Sequence, residues 1–283
     1  MFMPDADPVV ADADSKSLGF MYPDGTGRIE YTLELYENAR SMWGTKIKDS
    51  HALFPCWSPK GDLVFSIAGP PPNVRLIDSS GRMYGEECNS LRGGVINFDP
   101  QGNILGMIYE YSSLYRQYQD YAQEGTVVVA RHDLRGCRIV GVLLLPVAVR
   151  GIGSISENSQ GWITGSFYDP TAGVSQVLLY HPGLKVKEVF PGTAPSFSDD
   201  GLWLAYYRPD GYLVVRSVTG EDERVITKVI PYPEDWLSYV SMPGWSPDGR
   251  WIVYNTPDGK IYKVHRESGE KIYLGYGWAP DWR

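Results

Sequence analysis

Short β-rich runs recur along the chain, each bounded by Gly, Pro, Asp or Ser. "WLAYYRPDGYLVVR" (Trp203 to Arg216) and "WIVYNTPDGKIYKV" (Trp251 to Val264) match nearly position by position. Runs of this length, rich in branched and aromatic residues and closed by turn residues, read as strands. Each Asp-Gly falls between two runs, because Gly accepts positive φ and Asp can bond the turn backbone. The full unit is an apolar approach, an aromatic, a Ser-x-Asp-Gly turn, a strand, a Pro-Asp-Gly turn, a second strand and a Gly-Glu turn. Phe197-Ser198-Asp199-Asp200-Gly201 and Trp245-Ser246-Pro247-Asp248-Gly249 are its clearest openings.

Weaker copies lie at Pro55 to Ser66, Ile96 to Tyr109 and Ser154 to Tyr168. The turn glycines Gly61, Gly102, Gly161, Gly201 and Gly249 follow a base period of about 40 residues with insertions. A four-stranded antiparallel meander repeated at that period predicts a propeller. The two ends complete the count. Gly277-Trp278-Ala279-Pro280-Asp281 echoes Gly244-Trp245-Ser246-Pro247-Asp248, and the stretch from Ser17 to Leu35 echoes a blade without its first strand. The expected fold is therefore all-β: a six-bladed β-propeller of four-stranded antiparallel blades over residues 17–283. Its C-terminal strand is expected to hydrogen-bond around Leu18–Tyr22 and so hide the sheet edges. Residues 1–16, "MFMPDADPVVADADSK", read as a flexible acidic tail.

The W-S-P-D-G repeats, followed by strands of the type "WIVY", resemble those of the TolB-like, WD-repeat-like β-propeller family. The resemblance runs from about Ser17 to Arg283. It implies a propeller and no particular function, since such repeats also occur in peptidase propellers. TolB proteins are periplasmic and carry an additional N-terminal domain. Neither an export signal nor that domain is read in this sequence, so their role is not carried over. The large aromatics of the motif, Trp57, Phe98, Phe197, Trp245 and Trp278, are expected to wedge between blades.

Composition narrows the function. Of 283 residues, 43% are hydrophobic and 13% aromatic, and the net charge is −8 with no block of like charge. Binding to nucleic acid or to an anionic membrane needs clustered Lys and Arg, so neither is expected. Cys56, Cys88 and Cys137 form an odd set without C-x-x-C spacing, which predicts free thiols in a reducing compartment. "IVGVLLLPVAV" (Ile139 to Val149) is too short to span a bilayer, and the first residues lack a basic and apolar leader. A soluble, cytoplasmic protein is the expectation.

No G-x-S-x-G elbow is present, and His51, His132, His181 and His265 are scattered without metal-ligand spacing, as surface or turn imidazoles would be. No cofactor and no catalytic residue are assigned. The rival reading is a metal-dependent hydrolase or lactonase with its site in the central channel. Asn97, Asp99, Glu157 and Asn158 lie near first strands and would supply its ligands. Asp99 and Asn158, however, occupy turn positions, where backbone bonding is their usual task.

Strand alternation puts the W-S-P-D-G turns on one face and the second-to-third-strand and blade-to-blade loops on the other. The largest insertions fall on that second face. One is Tyr109 to Gly125, with Tyr109, Tyr111, Tyr115, Tyr118 and Tyr121. The other is Ile230 to Ser241, with Tyr232, Trp236 and Tyr239, while "AGPPPN" (Ala68 to Asn73) adds a stiff loop. Tyr111, Leu114, Tyr115 and Tyr118 have helical spacing; extended hairpin strands are the competing reading. Tyr and Trp combine large contact area with a polar tip, as interfaces favour. These eight aromatics are the expected surface for a protein or carbohydrate partner, or for a larger assembly; the alternative is that they fold down over the channel.

Overall fold

The computed structural model describes residues 9–11, 17–32, 52–58, 63–67, 73–77, 83–84, 97–107, 127–133, 138–147, 152–229 and 241–282. The strands are short because the turns come early. In chain order, β1 (Val9–Ala11), β2 (Ser17–Phe20) and β3 (Ile29–Thr32) belong to one sheet. β4 (Ala52–Trp57), β5 (Leu63–Ile67), β6 (Asn73–Ile77) and β7 (Met83–Tyr84) form the next. Then come β8 (Asn97–Phe98), β9 (Ile104–Met107), β10 (Val127–His132) and β11 (Ile139–Leu145), followed by β12 (Gly153–Glu157), β13 (Ile163–Asp169), β14 (Val174–His181) and β15 (Val186–Pro191). β16 (Thr193–Phe197), β17 (Trp203–Tyr207), β18 (Tyr212–Ser217) and β19 (Glu223–Lys228) precede β20 (Gly244–Trp245), β21 (Trp251–Asn255), β22 (Lys260–His265) and β23 (Lys271–Tyr276). The last strand, β24 (Trp278–Asp281), joins the first sheet in the order β24-β1-β2-β3. All pairings are antiparallel between sheet neighbours, as a meander requires.

The chain ends therefore meet, but not where the sequence places them. β24 bonds to Val9–Ala11, with Val9 opposite Asp281 and Ala11 opposite Trp278. The stretch beginning at Leu18 is one strand further out, opposite β1. The expected tail thus contains a strand. Val9-Val10-Ala11 is an apolar triplet set among Asp5, Asp7, Asp12 and Asp14, and it fills the position beside the inner strand that Ser17–Phe20 was expected to take.

Apolar side chains fill the gaps between sheets. Ala194, Ala205, Leu213 and Val215 pack with Trp245, Ile252, Tyr254 and Val264 of the following sheet, all of them buried. Trp245 also donates from Nε1 to the Ser196 carbonyl at 3.2 Å, so it wedges between sheets as expected. Leu105, Val129 and Leu145 meet Ile155, Ile163 and Leu178 in the same way.

The repeated turn has a local explanation. Ser246 Oγ donates to Asp248 Oδ1 (2.6 Å) and accepts from the Trp251 amide (2.9 Å), while Asp248 Oδ1 accepts from the Arg250 amide (3.0 Å). Ser198, Asp200, Leu202 and Trp203 repeat those bonds. Gly201 and Gly249 take φ of 71° and 65°, a region that a Cβ disfavours. In two other copies one side chain does the work of both. Asp99 Oδ1 accepts from the amides of Gln101 and Asn103, and Asn158 Oδ1 from those of Gln160 and Trp162. Burial pushes the Asp248 carboxyl up, yet the Ser246 hydroxyl and the Arg250 amide and guanidinium prevail and hold it at about 2. Ser246→Ala removes a buried donor and acceptor. It should lower stability by about 1–3 kcal/mol in urea unfolding at pH 7. Asp248 gains stability above its unfolded value and loses it as pH falls toward about 2. The deficit of the variant should therefore shrink on acidification.

Candidate site at the channel mouth

The inner strands share a bulge. On β16, Thr193 lies opposite Tyr207 and Ser196 opposite Ala205, so one extra residue is inserted between these pairs. The same step separates Leu53 from Cys56, Gly153 from Ser156 and Trp278 from Asp281. Ser154 (φ 51°) and Ala194 (φ 50°), within two of these bulges, adopt the left-handed conformation. The bulge fixes the true register of the repeat. Asp281 is the equivalent of Cys56, Ser156 and Ser196, and Trp282 follows it as Trp57 and Phe197 follow theirs. The C-terminal motif is thus Ala279-Pro280-Asp281-Trp282, matching Ala194-Pro195-Ser196-Phe197 and Met242-Pro243-Gly244-Trp245. The expected match of Trp278 to Trp245 is thereby corrected: Trp282, four residues on, takes that place.

The residues after each bulge converge on a cavity of about 600 Å³. Short polar side chains line it (Cys56, Asn97, Ser156, Ser196 and Asp281), with aromatic residues next to them in sequence (Trp57, Phe98, Phe197, Trp245 and Trp282). Several of the polar groups hand a bond to a neighbouring sheet. Ser196 Oγ donates to the Pro243 carbonyl (2.6 Å), and Asp281 Oδ2 accepts the Trp57 amide (2.8 Å). Asn97 Nδ2 approaches Met242 Sδ at 3.8 Å, and Cys56 Sγ approaches Asn97 Oδ1 at the same distance. Burial, with the Asp281 charge adding, pushes the Cys56 thiol well up. A thiol so held is a poor nucleophile.

Four carboxylates line the cavity: Asp99, Glu157, Asp199 and Asp281. Arg131, on β10, answers two of them. Its Nη1 lies 3.1 Å from Asp99 Oδ2 and its Nη2 2.8 Å from Glu157 Oε1. Asp99 is fully buried and also accepts Asn103 Nδ2 at 2.8 Å. Burial raises the Glu157 carboxyl, and Arg131 only partly opposes this. Asp281 is pushed up to about 6 by burial and by the charge of Asp199, against the Trp57 and Trp282 amides and Cys56. Burial and neighbouring Asp200 raise Asp199 as well. No Lys, Arg or His is among the described residues that line the cavity.

Of the residues considered as metal ligands, Asp99 and Asn158 are engaged in their turns as their sequence positions suggest, and Asn158 Nδ2 donates to the Gly201 carbonyl (2.8 Å). Glu157 is held by Arg131. Among the described residues no three His, Cys, Asp or Glu side chains are grouped to hold a metal ion. Tyr109, Tyr111, Tyr115, Tyr118, Tyr121, Tyr232, Trp236 and Tyr239 lie outside the described residues, as do His51, Cys88 and Cys137. Two histidines are turn imidazoles. His181 Nδ1 accepts the Leu184 amide, His265 Nδ1 those of Glu267 and Ser268, and each ring meets a Trp edge-on, Trp162 and Trp251. His132, at the matching end of its strand, is instead fully buried, contrary to the expected surface or turn imidazole.

Sequence reasoning missed Asp281, Asp199, Cys56 and Arg131. The signal for Asp281 was the Pro-x-aromatic triplet shared by Pro55-Cys56-Trp57, Pro195-Ser196-Phe197, Pro243-Gly244-Trp245 and Pro280-Asp281-Trp282. No family model matches the chain, and no curated protein does. Among solved structures, TolB from Acinetobacter baumannii superposes with a TM-score of 0.66 at 16% identity, over 98% of this chain and 65% of that one. The fold is a TolB-like β-propeller. The propeller thus spans just under two thirds of the TolB chain. A protein of unknown function from Bacteroides caccae is similar over 98% of both chains, with a TM-score of 0.58 at 12% identity. At these identities the likeness concerns the fold alone, and it adds nothing specific to WD repeats. Among the described residues no helix is long and apolar enough to cross a membrane.

Proposed function

We propose that the chain is a six-bladed ring serving as a non-catalytic interaction module, which takes a protein partner on its aromatic loop face. The blade count is supported by the inner strands β4, β8, β12, β16, β20 and β24, which all contribute to one cavity wall, and by the closure of β24 on β1. One observation carries the preference for binding over catalysis. Four groups at the channel mouth are committed to architecture: Asp99 and Asn158 to turns, Glu157 to Arg131, and Cys56 to a buried, protonated state. The recognition surface of this reading is Tyr109, Tyr111, Tyr115, Tyr118, Tyr121, Tyr232, Trp236 and Tyr239, which strand alternation assigns to the other face.

A photo-crosslinking residue at Tyr115 should give a discrete adduct in extract of the source organism, and one at Tyr168 should not. The combined replacement of Tyr115, Tyr118 and Trp236 by Ala should leave thermal unfolding unchanged. It should weaken binding of the crosslinked protein at least tenfold. Unchanged affinity would refute the reading, and a glycan as the sole captured species would replace the protein partner with carbohydrate.

A further inference from the structure

We propose that the channel mouth is a seat for a small organic cation, an ammonium or guanidinium group on an apolar body, held by Asp281 and Asp199. The cavity, about 600 Å³, falls within the range of small-molecule sites. Its wall combines aromatic and proline residues with carboxylates and, among the described residues, no basic side chain. Arg131 pairs with both Asp99 and Glu157, whereas among the described residues Asp281 and Asp199 make no ion pair. Asp281 receives amide N–H bonds, from Trp57 and Trp282, and among the described residues it meets no cationic side chain. A buried carboxylate in that condition is unfavourable, and a bound cation would relieve it. Trp57 and Phe197, both half-buried, line the same space and suit the apolar body. The other polar groups on the wall are short and uncharged (Cys56, Asn97, Ser156 and Ser196), which leaves room at the centre. This seat lies at the W-S-P-D-G turns and does not depend on the role of the loop aromatics.

The test uses 1,4-diaminobutane and arginine amide as probes, with 1-butanol as the neutral control, in calorimetric titrations of the full chain. Saturable binding of at least one cation is expected, with none of the alcohol. Asp281→Asn should weaken it at least tenfold and Asp199→Asn severalfold. Affinity should rise about tenfold between pH 5 and 7, with proton release to buffer, as Asp281 ionises beside Asp199 and Cys56. A purely architectural carboxylate would show no such release. Asp199 keeps much of its surface exposed, its carboxyl being only partly desolvated, so its variant remains a valid test should Asp281→Asn fail to fold. Equal binding of the alcohol, affinity indifferent to both substitutions, or calcium chloride alone occupying the site would each overturn the proposal.

Discussion

Arg131→Met should destabilise the propeller by about 3–5 kcal/mol, the range for stripping a buried charge of its partner. The arginine joins the turn of one sheet, through Asp99, to the inner strand of the next, through Glu157. Methionine keeps the apolar stem and removes only the charge. Asp99, with no exposed side-chain surface, would keep its amide donors but lose its counter-charge. Adding Asp99→Asn to Arg131→Met should recover a large part of the loss, which a double-mutant cycle in urea at pH 7.5 would measure. Glu157 is already raised by burial, with Arg131 opposing. Without Arg131 it takes up a proton at higher pH, so the penalty should diminish at pH 5. A loss under 1 kcal/mol at pH 7.5 would show that the three groups do not act together.

Asp281→Asn should act in the opposite direction. The folded carboxyl is pushed up to about 6 from an ordinary 3.8, so the native state holds its proton more tightly than the unfolded chain. The favourable contribution is complete below the unfolded value and is lost as pH rises from about 4 through 6. A shift of that size corresponds to about 3 kcal/mol. Asparagine retains an oxygen for the Trp57 amide and carries no charge. Relative to wild type, the variant should be near neutral at pH 4 and more stable by about 3 kcal/mol at pH 7.5, by urea unfolding of both proteins at each pH. Equal stability at pH 7.5 would mean that the carboxylate is not disfavoured there. The same substitution should weaken cation binding at least tenfold, an expected trade between stability and function.

These two residues also show what the sequence can and cannot reveal. The turn at Ser246-Pro247-Asp248-Gly249 is legible because its bonds run only from residue 246 to residue 251. Asp99 and Asn158 are legible for the same reason. Asp281 is not, because Trp278-Ala279-Pro280-Asp281 imitates Trp245-Ser246-Pro247-Asp248, and the deciding bulge arises from pairing with Val9–Ala11 at the other end of the chain. Local pattern favours the imitation; long-range register reverses it. Arg131 carried no signal either, since nothing on β10 announces that its guanidinium reaches two carboxylates in different sheets. The loop aromatics stood out by composition alone, and their role awaits the crosslinking experiment.

The pairing of β1 with β24 also bears on biosynthesis. At about 5–20 residues per second, Val9–Ala11 leaves the ribosome tens of seconds before Trp278–Asp281 exists. Through that interval a short sticky strand has no native neighbour on one side and is open to pairing with other nascent chains. Asp5, Asp7, Asp12 and Asp14 bracket it. Like charges flanking a sticky strand are the usual gatekeepers against such pairing.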